Sequence, residues 1–145
     1  MDNELREILI NVMKKSKRLL IVDDDKIDRM SIKRQVKKLH LDIEIIEQKN
    51  GKEALDFLLA ADTVLPDLIL LDLNMPKMSG WVFLQHLKES ELNEQIPVVI
   101  LTTSNNPQDI EKIALYKDLI KKYIIKMAGF ENTELFCNEL KLWLS

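Results

Sequence analysis

The chain has 145 residues, with 21 Lys and Arg against 24 Asp and Glu, and a formal net charge of −3. That length suits one domain; 46% hydrophobic and 31% charged residues is an ordinary globular balance, with no apolar run near the roughly 20 residues of a membrane helix. A single cysteine, Cys137, excludes an internal disulfide, one Cys and two His exclude a Cys/His zinc site, and three scattered glycines, Gly51, Gly80 and Gly129, exclude a glycine-rich phosphate loop.

The opening MDNELREIL is acidic early and lacks the basic start and apolar stretch of a secretory signal. With no disulfide and no targeting segment, a reducing cytoplasm is the expected compartment. The mildly acidic balance argues against a sequence-independent grip on nucleic acid. Leu5, Ile8, Leu9, Val12 and Met13 recur at helical spacing, with Glu4 and Glu7 near the start and Lys14 and Lys15 near the end, as a helix dipole favours. Residues 1–17 are therefore expected to form a helical extension before a domain spanning 18–145. Two readings of it stay open, an arm packed on its own domain and a contact with a second copy or another partner.

From residue 18 onward, short β-rich runs alternate with helix-length segments. The runs are RLLIVD (18–23), IEIIE (43–47), DLILLD (67–72), IPVVILT (96–102) and YIIK (123–126). The first, third and fourth each hold four consecutive aliphatic residues, which fits strands buried on both faces of a parallel sheet. The second run alternates, as suits an edge strand. The intervening segments, 26–39, 50–61, 79–89 and 107–117, together with 130–144 at the end, carry apolar residues on one helical side. Pro107 stands near a helix start, and Pro66 and Pro97 at strand entrances, where a missing N–H does least harm. Five alternations predict a doubly wound α/β sheet with right-handed crossovers.

In open α/β sheets, ligand sites form at the carboxyl ends of the strands. Asp23, Asp24 and Asp25 follow the first run, Asp72 ends the third, Thr102 the fourth and Lys126 the fifth. Carboxylates of Asp24 and Asp72 on adjacent strands, about 5 Å apart, would repel by roughly 3 kcal/mol at an effective dielectric of 20, and Asp23 adds to this. Such a cluster either takes up protons or holds a cation. An oxygen-only site with room for water suits Mg²⁺ better than zinc. A carboxylate in that setting is also a candidate nucleophile toward phosphorus, with Thr102 as hydrogen-bond donor and Lys126 as counter-charge. His40 and His86 lie away from every strand end, and Cys137 reads as a packing thiol.

The segments LLIVDDD (19–25), PDLILLDLNMPKMSG (66–80), PVVILTT (97–103) and YIIK (123–126) together resemble the receiver domain of two-component response regulators, of the stand-alone, chemotaxis-regulator-like type. The resemblance covers about residues 18–144. It implies a flavodoxin-like fold, five parallel strands in the order 2-1-3-4-5 with five helices, the N-terminal helix being extra. It also implies roles. Asp72 matches the phosphoacceptor, fed by a sensor histidine kinase or a histidine phosphotransfer protein. Asp24 matches the direct Mg²⁺ ligand, Asp23 a partner acting largely through water, and Asn74 the residue lending its backbone carbonyl to the metal. Thr102 matches the switch hydroxyl, Tyr123 the aromatic switch position and Lys126 the lysine that pairs with the phosphoryl group, while Pro76 and Gly80 match the turn after the acceptor. The implied output is phosphorylation-dependent contact with another protein through about residues 107–144, without enzymatic turnover beyond assisting its own phosphorylation and dephosphorylation. The segment TTSNNPQDI (102–110) resembles single-domain regulators that pair with phytochrome-type kinases.

One departure stands out. The family usually has proline after the lysine, with a cis bond; Met127 stands there, and a non-proline cis bond costs roughly 3 kcal/mol, so a trans bond is expected. Three rivals are weighed. A dehalogenase-type phosphatase needs a second acid where Asn74 stands. A flavodoxin-like FMN binder needs a hydroxyl-rich loop where Asp23–Asp25 would repel phosphate. A degenerate receiver, binding partners independently of phosphorylation, would have lost an acidic residue that this chain keeps.

Overall fold

The computed structural model describes residues 2–92, 95–126 and 133–145, with only the backbone of 10–15 and 133. In chain order the elements are α1 (Asn3–Lys15), β1 (Lys17–Val22), α2 (Lys26–Lys37), β2 (Ile43–Gln48), α3 (Gly51–Leu59) and β3 (Leu68–Leu71). They continue with α4 (Gly80–Glu89), β4 (Val98–Thr102), α5 (Pro107–Lys112), a 3₁₀ turn (Ile113–Tyr116), β5 (Ile120–Ile125) and α6 (Thr133–Leu144). The five strands are all parallel, in the order β2-β1-β3-β4-β5. This is the expected flavodoxin-like sheet.

Successive side chains of a strand point to opposite faces, and the core divides accordingly. Leu20 and Val22, Ile69 and Leu71, and Val98 and Ile100 meet α3 and α4 through Leu55, Leu58, Phe83 and Leu87. Leu19 and Ile21, Leu68 and Leu70, and Val99 and Leu101 meet α2 and α6 through Ile32, Val36, Phe136 and Leu140. The aliphatic runs are continuous because both faces of these central strands are covered. At the edge, β2 is only partly buried, as its alternation predicted.

Helix starts follow local chemistry. Asp25 Oδ1 accepts the Ile27 N–H (2.8 Å), Asn50 Oδ1 the Glu53 N–H (2.9 Å) and Asn106 Oδ1 the Gln108 N–H (3.0 Å), each filling an orphan donor of a first turn. Among the described residues, most boundaries fall within two residues of the sequence pattern, and two differ by more. The last strand begins at Ile120 rather than Tyr123, because Leu119 and Ile120 are buried and a register shift at Val98/Val99 lets β5 pair further back along β4. The segment expected as one helix over 107–117 is α-helical only to Lys112 and then tightens to 3₁₀, with no buried residue in either part. In α1, Leu5, Ile8 and Leu9 are 49%, 53% and 42% exposed. Met127 and Phe130 lie outside the described residues.

The loop after β3 folds back over the strand end. Gly80 N–H donates to Leu73 O at 2.9 Å, and Lys77 takes a left-handed φ of 68°. A Cβ on Gly80 would stand 2.6 Å from Asp72 O and 2.8 Å from Leu73 Cα, so this position has no room for a side chain. Gly80→Ala should therefore lower the unfolding free energy by about 1–3 kcal/mol, the usual range for overpacking, as read from urea denaturation.

Candidate functional site

The sheet register brings the acidic residues together. Val22 pairs with Leu71, so Asp23 and Asp72 follow as neighbours at the carboxyl ends of β1 and β3. Asp23 is fixed at both backbone groups: its N–H donates to Gln48 O (3.2 Å), and its carbonyl accepts Arg29 Nη1 (2.7 Å). Arg29 is in turn held by Glu47, 3.1 Å from Nε. The Asp72 N–H donates to Val22 O at 2.9 Å. Asp24, one residue beyond Asp23, is exposed.

One carboxylate oxygen from each of Asp23, Asp24 and Asp72 lies within 4.8 Å of the other two. Asp23 and Asp72 are 2% and 8% exposed, and Thr102 is fully buried. Thr102 Oγ1 donates to Asp72 Oδ1 at 3.0 Å. The Asn74 N–H also donates to the Asp72 carboxylate. Lys126 sits just past β5, its N–H tied to Thr102 O at 2.6 Å. Its ammonium donates to Asp23 Oδ2 at 2.7 Å and to Asp28 Oδ2 at 2.8 Å, and stands 3.9 Å from Asp72 Oδ2. Tyr123 is half-buried, and its hydroxyl donates to Ser104 O at 2.9 Å.

Burial dominates the electrostatics. Loss of water pushes the Asp23 carboxyl up to about 6, against the pull of Lys126 and the Asp25 N–H, with the Asp72 charge adding to the rise. Burial likewise raises Asp72 above the ordinary carboxylate range; the Lys126 charge, Thr102 and the Asn74 N–H oppose it, and the Asp24 charge reinforces it. Burial by itself would lower Lys126, but the hydrogen bonds it donates to Asp23 and Asp28, with the charges of Asp23 and Asp72, hold it above the usual lysine value. The Tyr123 hydroxyl is raised, chiefly by burial.

The donor set fits a hard divalent cation. Among the described residues, the three candidate ligands are carboxylates, two of them desolvated, and the Lys126 ammonium beside them leaves a surplus of negative charge. Asp23, Asp24, Asp72, Asn74, Thr102 and Lys126 all stand at the carboxyl end of the sheet, and Tyr123 lies two residue pairs back from Thr102, against Ile100 of β4. Asp28 and Arg29 were not singled out by the sequence pattern. The available signal was Arg29 in the first turns of α2, at the position that follows the Asp25 cap by four residues.

A family model described as the response regulator receiver domain matches residues 19–135. Among curated proteins, the chain is 35% identical over 130 residues to the probable methanogenesis regulatory protein FilR2 of Methanothrix harundinacea, covering 87% of this chain and 83% of that one. It is 37% identical over 118 residues to the response regulator Rcp1 of a Synechocystis species, covering 79% of each. The crystal structure of the Mn²⁺-bound form of Rcp1 superposes with a TM-score of 0.78 over 89% of this chain and 95% of that one, at 33% identity. That of the phosphorylated cyanobacterial phytochrome response regulator RcpA does so with a TM-score of 0.78 over 90% and 95%, at 32% identity. With the strand order, the acidic cluster and these likenesses in agreement, the chain belongs to the receiver-domain family of two-component response regulators.

Proposed function

We propose that Asp72 accepts a phosphoryl group from a histidine kinase or histidine phosphotransfer protein, and that the chain signals through phosphorylation-dependent contact with another protein. The observation that carries this reading is the convergence on Asp72 of one buried hydroxyl, one buried ammonium and two further carboxylates. A lone buried aspartate would be held neutral or capped by a single donor; here a hydroxyl and an ammonium suit a larger anion, and the two further carboxylates suit the cation that would offset its charge. Likeness to RcpA, described as phosphorylated and as a phytochrome response regulator, supports the same chemistry, and with the 102–110 segment it supports a kinase of the phytochrome type as donor.

In the proposed transfer, an Asp72 carboxylate oxygen attacks phosphorus. The new O–P bond forms as the P–N bond of the donor phosphohistidine breaks, its electron pair staying on the imidazole, which keeps or gains its proton from solvent. No general base is needed, because the attacking carboxylate carries no proton to remove. Asp23, Asp24 and Asp72, with the Asn74 carbonyl, would hold Mg²⁺, which when bound neutralises charge on the phosphoryl oxygens. Lys126 adds a second, fixed positive charge from the β5 side. Thr102 now donates to Asp72 Oδ1 and would turn to a phosphoryl oxygen. Its Oγ1 also accepts the Ser104 N–H at 3.4 Å, and Ser104 O holds the Tyr123 hydroxyl, so a turn at Thr102 releases the start of the β4–α5 loop. Phosphorylation thereby biases a balance between two arrangements of the 102–125 region.

Incubation with acetyl phosphate and Mg²⁺ should add one phosphoryl group to the intact protein by mass, and Asp72→Asn should add none. A wild type without adduct across donor and metal concentrations would return the phosphorylation-independent binding module. In the absence of divalent cations, Asp72→Asn should be more stable than the wild type by about 1 kcal/mol. Two carboxylates about 5 Å apart repel by roughly 3 kcal/mol at a dielectric of 20, and Lys126 offsets only part of this. Mg²⁺ at about ten times its Kd should add about 1.4 kcal/mol to the wild type in thermal denaturation, and distinctly less to Asp24→Asn.

A further inference from the structure

Lys126 is held by a carboxylate that the transfer described above does not use. Its ammonium has three N–H bonds. One is directed to Asp23 and one to Asp28, at 2.7 and 2.8 Å, while Asp72 Oδ2, at 3.9 Å, is too far for a hydrogen bond. The two holders are not equivalent. The Asp23 side chain is 3% exposed, and its other oxygen accepts the Asp25 N–H at 2.9 Å. Asp28 stands on the first turn of α2, and its side chain is 29% exposed, so water can take the place of the ammonium there.

We propose that Asp28 is a positioning residue that keeps Lys126 drawn back from Asp72 while the chain is unphosphorylated. The inference rests on Asp72 being the acceptor and Lys126 its counter-charge. A phosphoryl group carries close to two negative charges, against one on Asp28. Its arrival makes the ammonium exchange its Asp28 bond for a phosphoryl oxygen, keep the Asp23 bond and leave Asp28 to solvent. A bond made in one state and broken in the other opposes the second state, so Asp28 restrains phosphorylation.

The test uses the full chain with acetyl phosphate as donor at saturating Mg²⁺, comparing wild type, Asp28→Ala, Lys126→Ala and the double variant by intact mass over time. Asp28→Ala should raise both the phosphorylation rate and the steady-state phosphorylated fraction, the rate by about threefold or more, the effect of an ion pair at the strong end of the exposed range. In the Lys126→Ala background the same substitution should change neither, because the restraint acts only through the ammonium. Should Asp28→Ala fail to fold, Asp28→Asn, which keeps the shape of the first turn and removes the charge, should give a smaller gain in the same direction. An unchanged or slower Asp28 variant overturns the proposal, as does an equal gain without Lys126, which would mark a diffuse charge effect on the anionic donor. A wild type that takes no phosphoryl group overturns the acceptor reading and this inference with it.

Discussion

Asp23 and Asp72 are forced together by the sheet. Val22 pairs with Leu71, and parallel neighbours lie about 4.8 Å apart, so the next residue on each strand delivers a carboxylate to the same place. Backbone hydrogen bonds from Asp23 to Gln48 and from Asp72 to Val22 leave neither strand end free to splay away from the repulsion. The arrangement persists because Lys126 reaches in from β5 and neutralises part of the charge, and its own pairing to Thr102 O keeps it within reach. One ammonium against the carboxylates of Asp23, Asp24, Asp28 and Asp72 still leaves the edge strongly negative. This unrelieved charge is what a bound divalent cation, or the proposed change in Lys126 partners, would act upon.

Such a site is costly, and the rest of the fold supplies the stability that tolerates it. The central strands β1, β3 and β4 are buried on both faces, and aliphatic side chains fill both layers. At roughly 25 cal/mol for each Å² of apolar surface removed from water, each of these side chains contributes on the scale of one carboxylate repulsion. The strand ends can therefore hold charge in poor solvation without unravelling. Gly80 extends the same logic into the loop, since only a residue without a Cβ lets α4 start directly against the Asp72 carbonyl.

The sequence shows the centre of the sheet more clearly than its borders. LLIV, LILL and VVIL are readable because burial on both faces removes every polar residue from the strand, and the acids that follow them mark where the strands leave the core. β5 is harder to read. As an edge strand it exposes Lys121 and only half-buries Lys122, so its first buried residue, Ile120, looks detached from YIIK. The 107–117 segment misleads for a related reason: Ile110 of α5 and Leu115 of the 3₁₀ turn are exposed, and Ile113 and Tyr116 pack only part-buried against the core, too little to enforce one continuous helix. Strand-end residues such as Asp72, Thr102 and Lys126 could be placed at the sheet edge from chain order alone. Asp28 could not, because its partner Lys126 is 98 residues away and nothing local in the sequence links the first turn of α2 to the end of β5.

The weak burial of α5 bears on how a change at Thr102 would travel. No residue from Pro107 to Tyr116 is fully buried; Ile113 and Tyr116 pack part-buried against the core, and side-chain bonds hold the rest of the segment at its rim. Ser104 Oγ donates to Asp109, whose other oxygen accepts Trp81 Nε1 at 2.8 Å, and the Trp81 ring stacks on Tyr116 with centroids 5.8 Å apart. Lys88 donates to Leu115 O at 3.0 Å from the α4 side. Replacing such bonds with water costs far less than opening a packed core, since a net intramolecular hydrogen bond is worth about 1 kcal/mol. The loop that begins at Thr102 therefore leads into a segment without fully buried residues, whereas the loop after Asp72 is closed in against Gly80. In the proposed switch, a turn of the Thr102 hydroxyl would therefore act first on the loop into α5 and, through Ser104, Asp109 and Trp81, on its contact with α4.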